Sequence, residues 1–416
     1  MKFFEIFALL ITLSAFFSYL NHRYLKLPVA IGLMLLAMAL SLIVTILGWL
    51  GWGVDEMMRT LVISIDFNQT LMGGLLGFLL FAGALHINLE SLLSNKWTIG
   101  LLSSLGVIGS TLLVGTLTSL ITGVFGIPIS YIYCLVFGAL ISPTDPVAVL
   151  SILKSSGAPS ALQAKIKGES LFNDGVGVVV FSLLLDIAIQ GNSIEFIDVL
   201  IWFSREALGG IFLGLVTGYL AYLVLKSLDS YQVEVLVTIA LVAGGYALAL
   251  KLHTSGPMCV VVAGLMIGNH GRLMAMSRVT REHLDNFWEL IDEIINGVLF
   301  ILIGLEVLIL SFTYSQIVLV LMIIPMVVVV RFITVGFPVS LMRLFRSFSP
   351  GAIRILTWGG IRGGISVALA LSMPVGPERN FILPVAYCVV VFSIVVQGLS
   401  LGWLVKKVEK EKVSNP

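Results

Sequence analysis

Gly138-Ala139-Leu140-Ile141-Ser142-Pro143-Thr144-Asp145-Pro146-Val147-Ala148-Val149 is an apolar run broken in its middle by two prolines and an acid. The prolines remove backbone donors and block carbonyl pairing, so a helix spanning 130–153 must unwind there. The rest of the chain says what surrounds that break. Of 416 residues, 58% are hydrophobic and 11% charged, and the mean hydropathy is +1.07. A water-soluble fold cannot bury that much apolar surface. Apolar runs of about 20 residues recur from end to end, each long enough to cross a hydrocarbon core about 30 Å thick. The solvent for this chain is therefore the lipid bilayer. At membrane depth an unwound backbone survives only where it is buried in protein or lines a cavity.

The pattern predicts an all-α polytopic membrane protein with thirteen transmembrane helices: 3–20, 27–50, 70–87, 97–123, 130–153, 166–190, 200–226, 231–250, 255–270, 284–310, 314–341, 351–373 and 380–406. The N-terminal apolar stretch lacks a small-residue cleavage site and is read as the first span. Arg23, Lys26, Lys96, Lys154, Lys165, Lys167, Lys226, Arg272, Arg278, Arg281, Arg343, Arg346 and the tail lysines follow odd-numbered spans, whereas Lys2, Arg59, Lys251 and Arg379 lie on the other side. The positive-inside rule then places the N-terminus outside and the C-terminus in the cytoplasm of a multi-pass protein of the cytoplasmic membrane. A net charge of +1 carries no basic excess for nucleic acid. Cys134, Cys259 and Cys388 are far apart in apolar runs and read as small core residues. Trp49, Trp52, Trp97 and Trp403 fall near span ends, as interfacial aromatics do.

A second interruption is Gly359-Gly360-Ile361-Arg362-Gly363-Gly364, four glycines around a charge in the twelfth span. It lies seven spans after the first. If spans one to six and eight to thirteen are copies of one unit, the odd offset inverts the second copy, with 200–226 as linker helix. Interrupted helices at matching places in inverted repeats mark the substrate site of a transporter. Pro325 and Pro338, each alone, read as passive kinks.

Ionisable groups inside a membrane are expensive and therefore candidates for function. Asp145 sits in the first break. The sixth span opens Lys167-Gly168-Glu169-Ser170-Leu171-Phe172-Asn173-Asp174-Gly175, which stacks Glu169 on Asn173 and Ser170 on Asp174 along one helix face. Carboxylate, amide and hydroxyl oxygens are the ligands that hard cations prefer. The carboxylates outnumber the needs of one monovalent cation, so Glu169 is expected to pair with Arg331, Arg362 to belong to the same set of structural ion pairs, and Asp174 to remain as the titrating ligand. A carboxylate taken out of water resists standing as a bare anion, so it holds either a proton or a cation. Competition for one site, reached alternately from either face, obliges each cation carried one way to send a proton the other. With Asn173 beside Asp174, that pair carries one proton, and exchange is expected to be electroneutral, one H+ per cation.

These stretches resemble the monovalent cation/proton antiporter family, in the branch of the bacterial NhaP-type and animal NHE-type Na+/H+ exchangers. Asn296 to Glu306, Arg331-Phe332 and Trp358 to Gly363 carry the same resemblance. It implies a homodimer, with 1–90 and 231–310 as dimerisation domain, 97–190 and 314–406 as the moving ion-transporting core, and 407–416 as a short cytoplasmic tail. It also implies that Asp174 and Asp145 are the functional carboxylates, with Thr144, Ser170 and Asn173 nearby, that Asp174, Asp145 and Ser170 hold the transported Na+, and that Asn-Asp marks electroneutral exchange. Ala82 stands where some members carry Glu, so one acidic group of the cytoplasmic funnel is missing.

His86, His253, His270 and His283 read as interfacial polar residues. Asp285, Glu289, Asp292 and Glu293 are expected to open the tenth helix, where acids suit the helix dipole, and they could also draw cations to the inner mouth. Asp186 and Glu306 are placed nearer the outer face, solvated or paired. The partners expected are Na+ (or K+ or Li+), H+ and the bilayer, with no cofactor and no enzymatic activity. Rival readings are a K+/H+ antiporter, a symporter of the same architecture, a cation channel, which would need a repeated filter loop, and a membrane-embedded enzyme, which would need a nucleophile with its base or a metal set.

Overall fold

The computed structural model describes residues 3–51, 53–63, 74–155, 160–191, 196–272, 276–310, 313–344 and 351–414. Lys2, Trp52, Arg346 and the first residues of the span expected at 70–87 lie outside them. The regular structure among the described residues is all helical, and its buried apolar side chains join in one continuous core. In chain order the helices are α1 (Phe3–Leu20), α2 (Val29–Trp49), α3 (Val54–Ile63), α4 (Leu76–Leu85), α5 (Leu89–Ser94), α6 (Lys96–Ser103), α7 (Leu105–Val124), α8 (Tyr131–Ile141), α9 (Pro146–Ser155) and α10 (Ser160–Gln190). They continue with α11 (Phe196–Lys226), α12 (Tyr231–Lys251), α13 (Gly256–Met266), α14 (Arg278–Glu306), α15 (Tyr314–Met342), α16 (Ala352–Trp358), α17 (Gly364–Ser372), α18 (Pro377–Phe392) and α19 (Gly398–Ser414).

Among the described residues eight helical stretches are long and apolar enough to cross a membrane, and α4 and α8 are shorter apolar helices. Of the thirteen expected spans, the two expected to be interrupted are so, and others are divided differently. The spans over 130–153 and 351–373 are each two short helices around a break, α8–α9 and α16–α17. Short α3 precedes the third span and answers to no expected helix. Wide turns end α1 at Asn21–Leu25 and extend α13 at Ile267–Gly271, and one at Ser393–Gln397 joins α18 to α19. The tenth helix begins at Arg278, not near 284, because Ser277 caps it by accepting the Thr280 N–H at 3.3 Å. Its acids therefore fall beyond the first turn, and the helix-dipole argument for them lapses.

Without a hydrophobic force between helices in lipid, close packing of backbones must hold them together. Gly210, Gly214 and Gly218 recur every four residues on α11 and face α13: an added Cβ at Gly214 would run into the Cys259 carbonyl, and one at Gly218 would meet Cα of Ala263 at 3.2 Å. Gly138 on α8 lies against the Thr111 carbonyl of α7, and Gly304 on α14 against the Met34 carbonyl of α2. α7 packs on α8 and α15, α8 packs on α10, α2 on α14 and α4 on α13.

These contacts make an opposed pair of substitutions informative. Gly214→Ala is expected to lower stability by about 1–3 kcal/mol through overpacking, whereas Gly244→Ala, whose Cβ meets nothing within 4 Å, is expected to be neutral or to stabilise by up to about 1 kcal/mol. Thermal melting of the purified protein in detergent checks both, and equal melting temperatures for the two variants would contradict the packing account.

Candidate functional site

The site is built around the break between α8 and α9. Four residues, Ser142 to Asp145, leave the helix, and Asp145 starts the next one: its Oδ1 accepts the Val147 N–H at 2.8 Å while Pro146 occupies the first helical position. Asp-Pro is thus a helix-starting pair placed in the middle of a membrane-spanning segment. Pro143 seats against Gly177 of α10, where any Cβ would collide with the proline ring.

α10 closes the freed backbone with side chains. Asn173 Oδ1 accepts the Thr144 N–H at 3.3 Å, and Asn173 Nδ2 donates to Thr144 Oγ1 at 2.8 Å. Thr144 Oγ1 lies 3.2 Å from Ser170 Oγ. All three residues are buried, so the amide and the two hydroxyls form one small network at the break. Four-residue spacing on α10 sets Glu169 beside Asn173 and Asp174 beside Ser170, and both acids are buried. Glu169 accepts from Arg331 Nη2 of α15, a pair withdrawn from water on both sides. Asp174 makes no such pairing with a cation among the described residues.

The second break crosses the first. Asp145 N–H donates to the Ile361 carbonyl at 2.7 Å, and Arg362 Nη1 donates to the carbonyls of Ser142 at 2.9 Å and Pro143 at 3.2 Å. Arg362 therefore satisfies the open C-terminal end of α8, where a positive charge suits the helix dipole, and reaches no carboxylate within ion-pair distance among the described residues. In this respect the structure differs from the sequence expectation of an Arg362 ion pair. The reason is geometric: the unwound α8–α9 segment brings two unpaired carbonyls closer to the guanidinium than any acid. Arg362 N–H in turn donates to Ser393 Oγ at 2.8 Å, at the wide turn before α19. Gly363 allows the crossing, since a Cβ there would overlap the Asp145 side chain.

Asp145 and Asp174 both line a cavity of about 600 Å³ between α4, α9, α10, α14 and α17. Asn296 and Ser366 line it as well, and so do His86, Lys167, Glu289, Asp292 and Glu293. Three acids of α14 thus face the cavity, and Asp285 does not line it. Ala82, where an additional acid was considered, is a buried wall residue. His86, read from sequence as merely interfacial, has Nδ1 2.8 Å from the Ala82 carbonyl and Nε2 3.9 Å from Asp285, which pairs with Arg272. Lys167, Asn296 and Ser366 were not singled out as site residues by sequence. Lys167 reads as an ordinary cytoplasmic charge, and the other two lie in helices whose facing side no local pattern reveals. Glu306, expected to be solvated or paired near the outer face, is 5% exposed. Arg331 and Glu169 thus form a closed pair, while Asp145 and Asp174 are two carboxylates on a shared cavity.

The comparisons fit this geometry. A family model described as sodium/hydrogen exchanger, transmembrane, matches residues 11–407. The chain is 50% identical over 409 residues to the Na(+)/H(+) antiporter NhaP of Pseudomonas aeruginosa, covering 97% of this chain and 96% of that one. It is 33% identical over 391 residues to the Na(+)/H(+) antiporter NhaH of Halobacillus dabanensis, covering 92% and 93%. The solved structure of the sodium proton antiporter MjNhaP1 from Methanocaldococcus jannaschii at pH 8 overlays with a TM-score of 0.76 at 18% identity, covering 98% of this chain and 99% of that one. With apolar helices throughout and a matched model over nearly its whole length, this multi-pass membrane protein belongs to the sodium/hydrogen exchanger family.

Proposed function

We propose that this chain exchanges Na+ for H+ across the cytoplasmic membrane, one for one and without net charge movement, with Asp174 holding either the proton or the cation. The observation that carries the reading is the pair Asp145 and Asp174 on one cavity, beside a network of Thr144, Ser170 and Asn173 and apart from the closed Glu169–Arg331 pair. Oxygen ligands without His or Cys suit a hard monovalent cation. The names of the relatives, Na(+)/H(+) antiporters of two bacterial genera, support Na+ as the substrate. Glu289, Asp292 and Glu293 on the same cavity supply a negative approach that concentrates cations.

In this reading Asp145, Asp174 and Ser170 contact Na+, while Thr144 and Asn173 hold the break in shape. Arg362 fixes the crossing from the other side. Alternating access comes from movement of a core formed by 97–190 and 314–406 against a scaffold formed by 1–90 and 231–310, with 200–226 joining them and 407–416 as the tail. Thirteen spans in two inverted repeats, a homodimer through the scaffold, an external N-terminus and a cytoplasmic C-terminus complete the proposal. The placement of Lys and Arg along the sequence supports that orientation.

Reconstituted vesicles with a lumenal pH dye and an imposed proton gradient test the exchange. Added Na+ is expected to discharge the gradient in the wild type, equally with the membrane potential clamped or free, and not in Asp174→Asn; no Na+-dependent proton flux in the wild type, with discharge by K+ alone, would move the substrate to K+. Because proton and cation compete, the apparent Na+ affinity measured in the same assay is expected to fall by about tenfold for each pH unit once the site is protonated. An affinity independent of pH would contradict competition.

Removing one member of the buried ion pair strands the other. Glu169→Gln is expected to cost about 3–5 kcal/mol of stability, and the double variant Glu169→Gln with Arg331→Gln distinctly less than the two singles summed. Melting curves of the three variants decide it, and strict additivity would mean that the two side chains do not depend on each other.

A further inference from the structure

A second cavity, of about 460 Å³, lies between α15, α16 and α19, away from the carboxylates. Val329, Phe332, Trp358, Trp403 and Leu404 give it almost wholly apolar walls, and Arg354 stands at its edge. The indole N–H of Trp358 is already used, donating to Ser400 Oγ at 2.8 Å. Val329, Phe332 and Trp403 are 56%, 54% and 66% exposed. In a multi-pass membrane protein the bilayer lies against such exposed apolar surface, and this slot is a recess in it.

The edge of the slot is basic. Arg354 is 62% exposed, and Lys407 is exposed with Nζ 5.2 Å from the Trp403 ring centre. Lys406 and Lys410 are exposed on the same helix. Trp403 stands near the end of the apolar stretch Pro377–Val408, where Trp sits at headgroup level, so these cations lie where lipid phosphates lie while the slot extends toward the acyl chains. Arg354 does have a partner, Glu411, at 3.1 Å, but both side chains are half exposed or more, and such pairs contribute little in water. A phosphate offers the guanidinium a stronger bidentate partner.

From this juxtaposition we propose that the α15–α16–α19 groove binds one anionic phospholipid of the surrounding bilayer, with an acyl chain in the apolar slot and the phosphate and negative headgroup on Arg354 and Lys407. Glu411 competes with the headgroup for Arg354. Because α16 carries Trp358 on the groove wall and ends at the Gly359 break, the lipid rests on the same short helix that leads to Arg362.

Native mass spectrometry of the full chain, with phosphatidylglycerol and phosphatidylcholine of identical acyl chains, tests the proposal. The wild type is expected to retain phosphatidylglycerol preferentially, by about fivefold for each basic contact. Arg354→Gln with Lys407→Gln is expected to bring the two lipids to parity, and Glu411→Gln to raise the preference. Ser400→Trp, which fills the slot, is expected to weaken retention of both lipids. Equal retention of the two lipids by the wild type would overturn the proposal, as would a preference unchanged in the double variant or a change of oligomeric state on Ser400→Trp with lipid retention unaltered. Glu411 is half exposed, so Glu411→Gln burdens folding less than the groove variants and its predicted increase remains a test where another variant folds poorly.

Discussion

Everything at the centre of this molecule depends on one requirement, that backbone groups released inside a membrane find partners within the protein. Pro143 and Pro146 release donors and acceptors of α8 and α9, and the glycines at 359–364 release those of α16 and α17. Each break closes the other. The Asp145 N–H goes to the Ile361 carbonyl, and Arg362 covers the carbonyls of Ser142 and Pro143. Neither segment could stay unwound in lipid alone, so the crossing is a condition of the fold and at the same time the means by which Asp145 is brought to a cavity.

That constraint separates charges that hold the structure from charges left to work. Arg331 and Glu169 neutralise each other away from water, and Arg362 is taken up by backbone oxygens, so these charges are consumed by folding. Thr144, Asn173 and Ser170 satisfy one another. What remains facing a solvent-sized space is mostly carboxylate, from Asp145 and Asp174 at the break and from Asp292, Glu289 and Glu293 on α14, with Lys167 and His86 on the same cavity. The proposed exchange needs such a remainder, since a site already neutralised by an arginine has nothing to offer a sodium ion.

Much of this was legible in the chain. Two prolines beside an acid and four glycines around an arginine locate both breaks, because proline and glycine act on the local backbone whatever surrounds them. Helix periodicity put Glu169, Ser170, Asn173 and Asp174 on one face. What the chain did not disclose depends on distant contacts. Arg362 was expected among ion pairs, but its partners are carbonyls 219 and 220 residues away. The start of α14 was misplaced because the cap at Ser277 precedes a polar first turn that hydropathy reads as loop. The wide turn at Ser393–Gln397, which divides one hydrophobic run into α18 and α19, carries no proline and no local signal.

The central claim is that one carboxylate site takes a proton or a cation and never both. The most direct measurement is proton release on Na+ binding to the purified protein in detergent, read by titration calorimetry in buffers of different ionisation enthalpy. The account predicts about one proton released per Na+ bound at a pH where the site is protonated, with release abolished in Asp174→Asn. Na+ binding that releases no proton would contradict it.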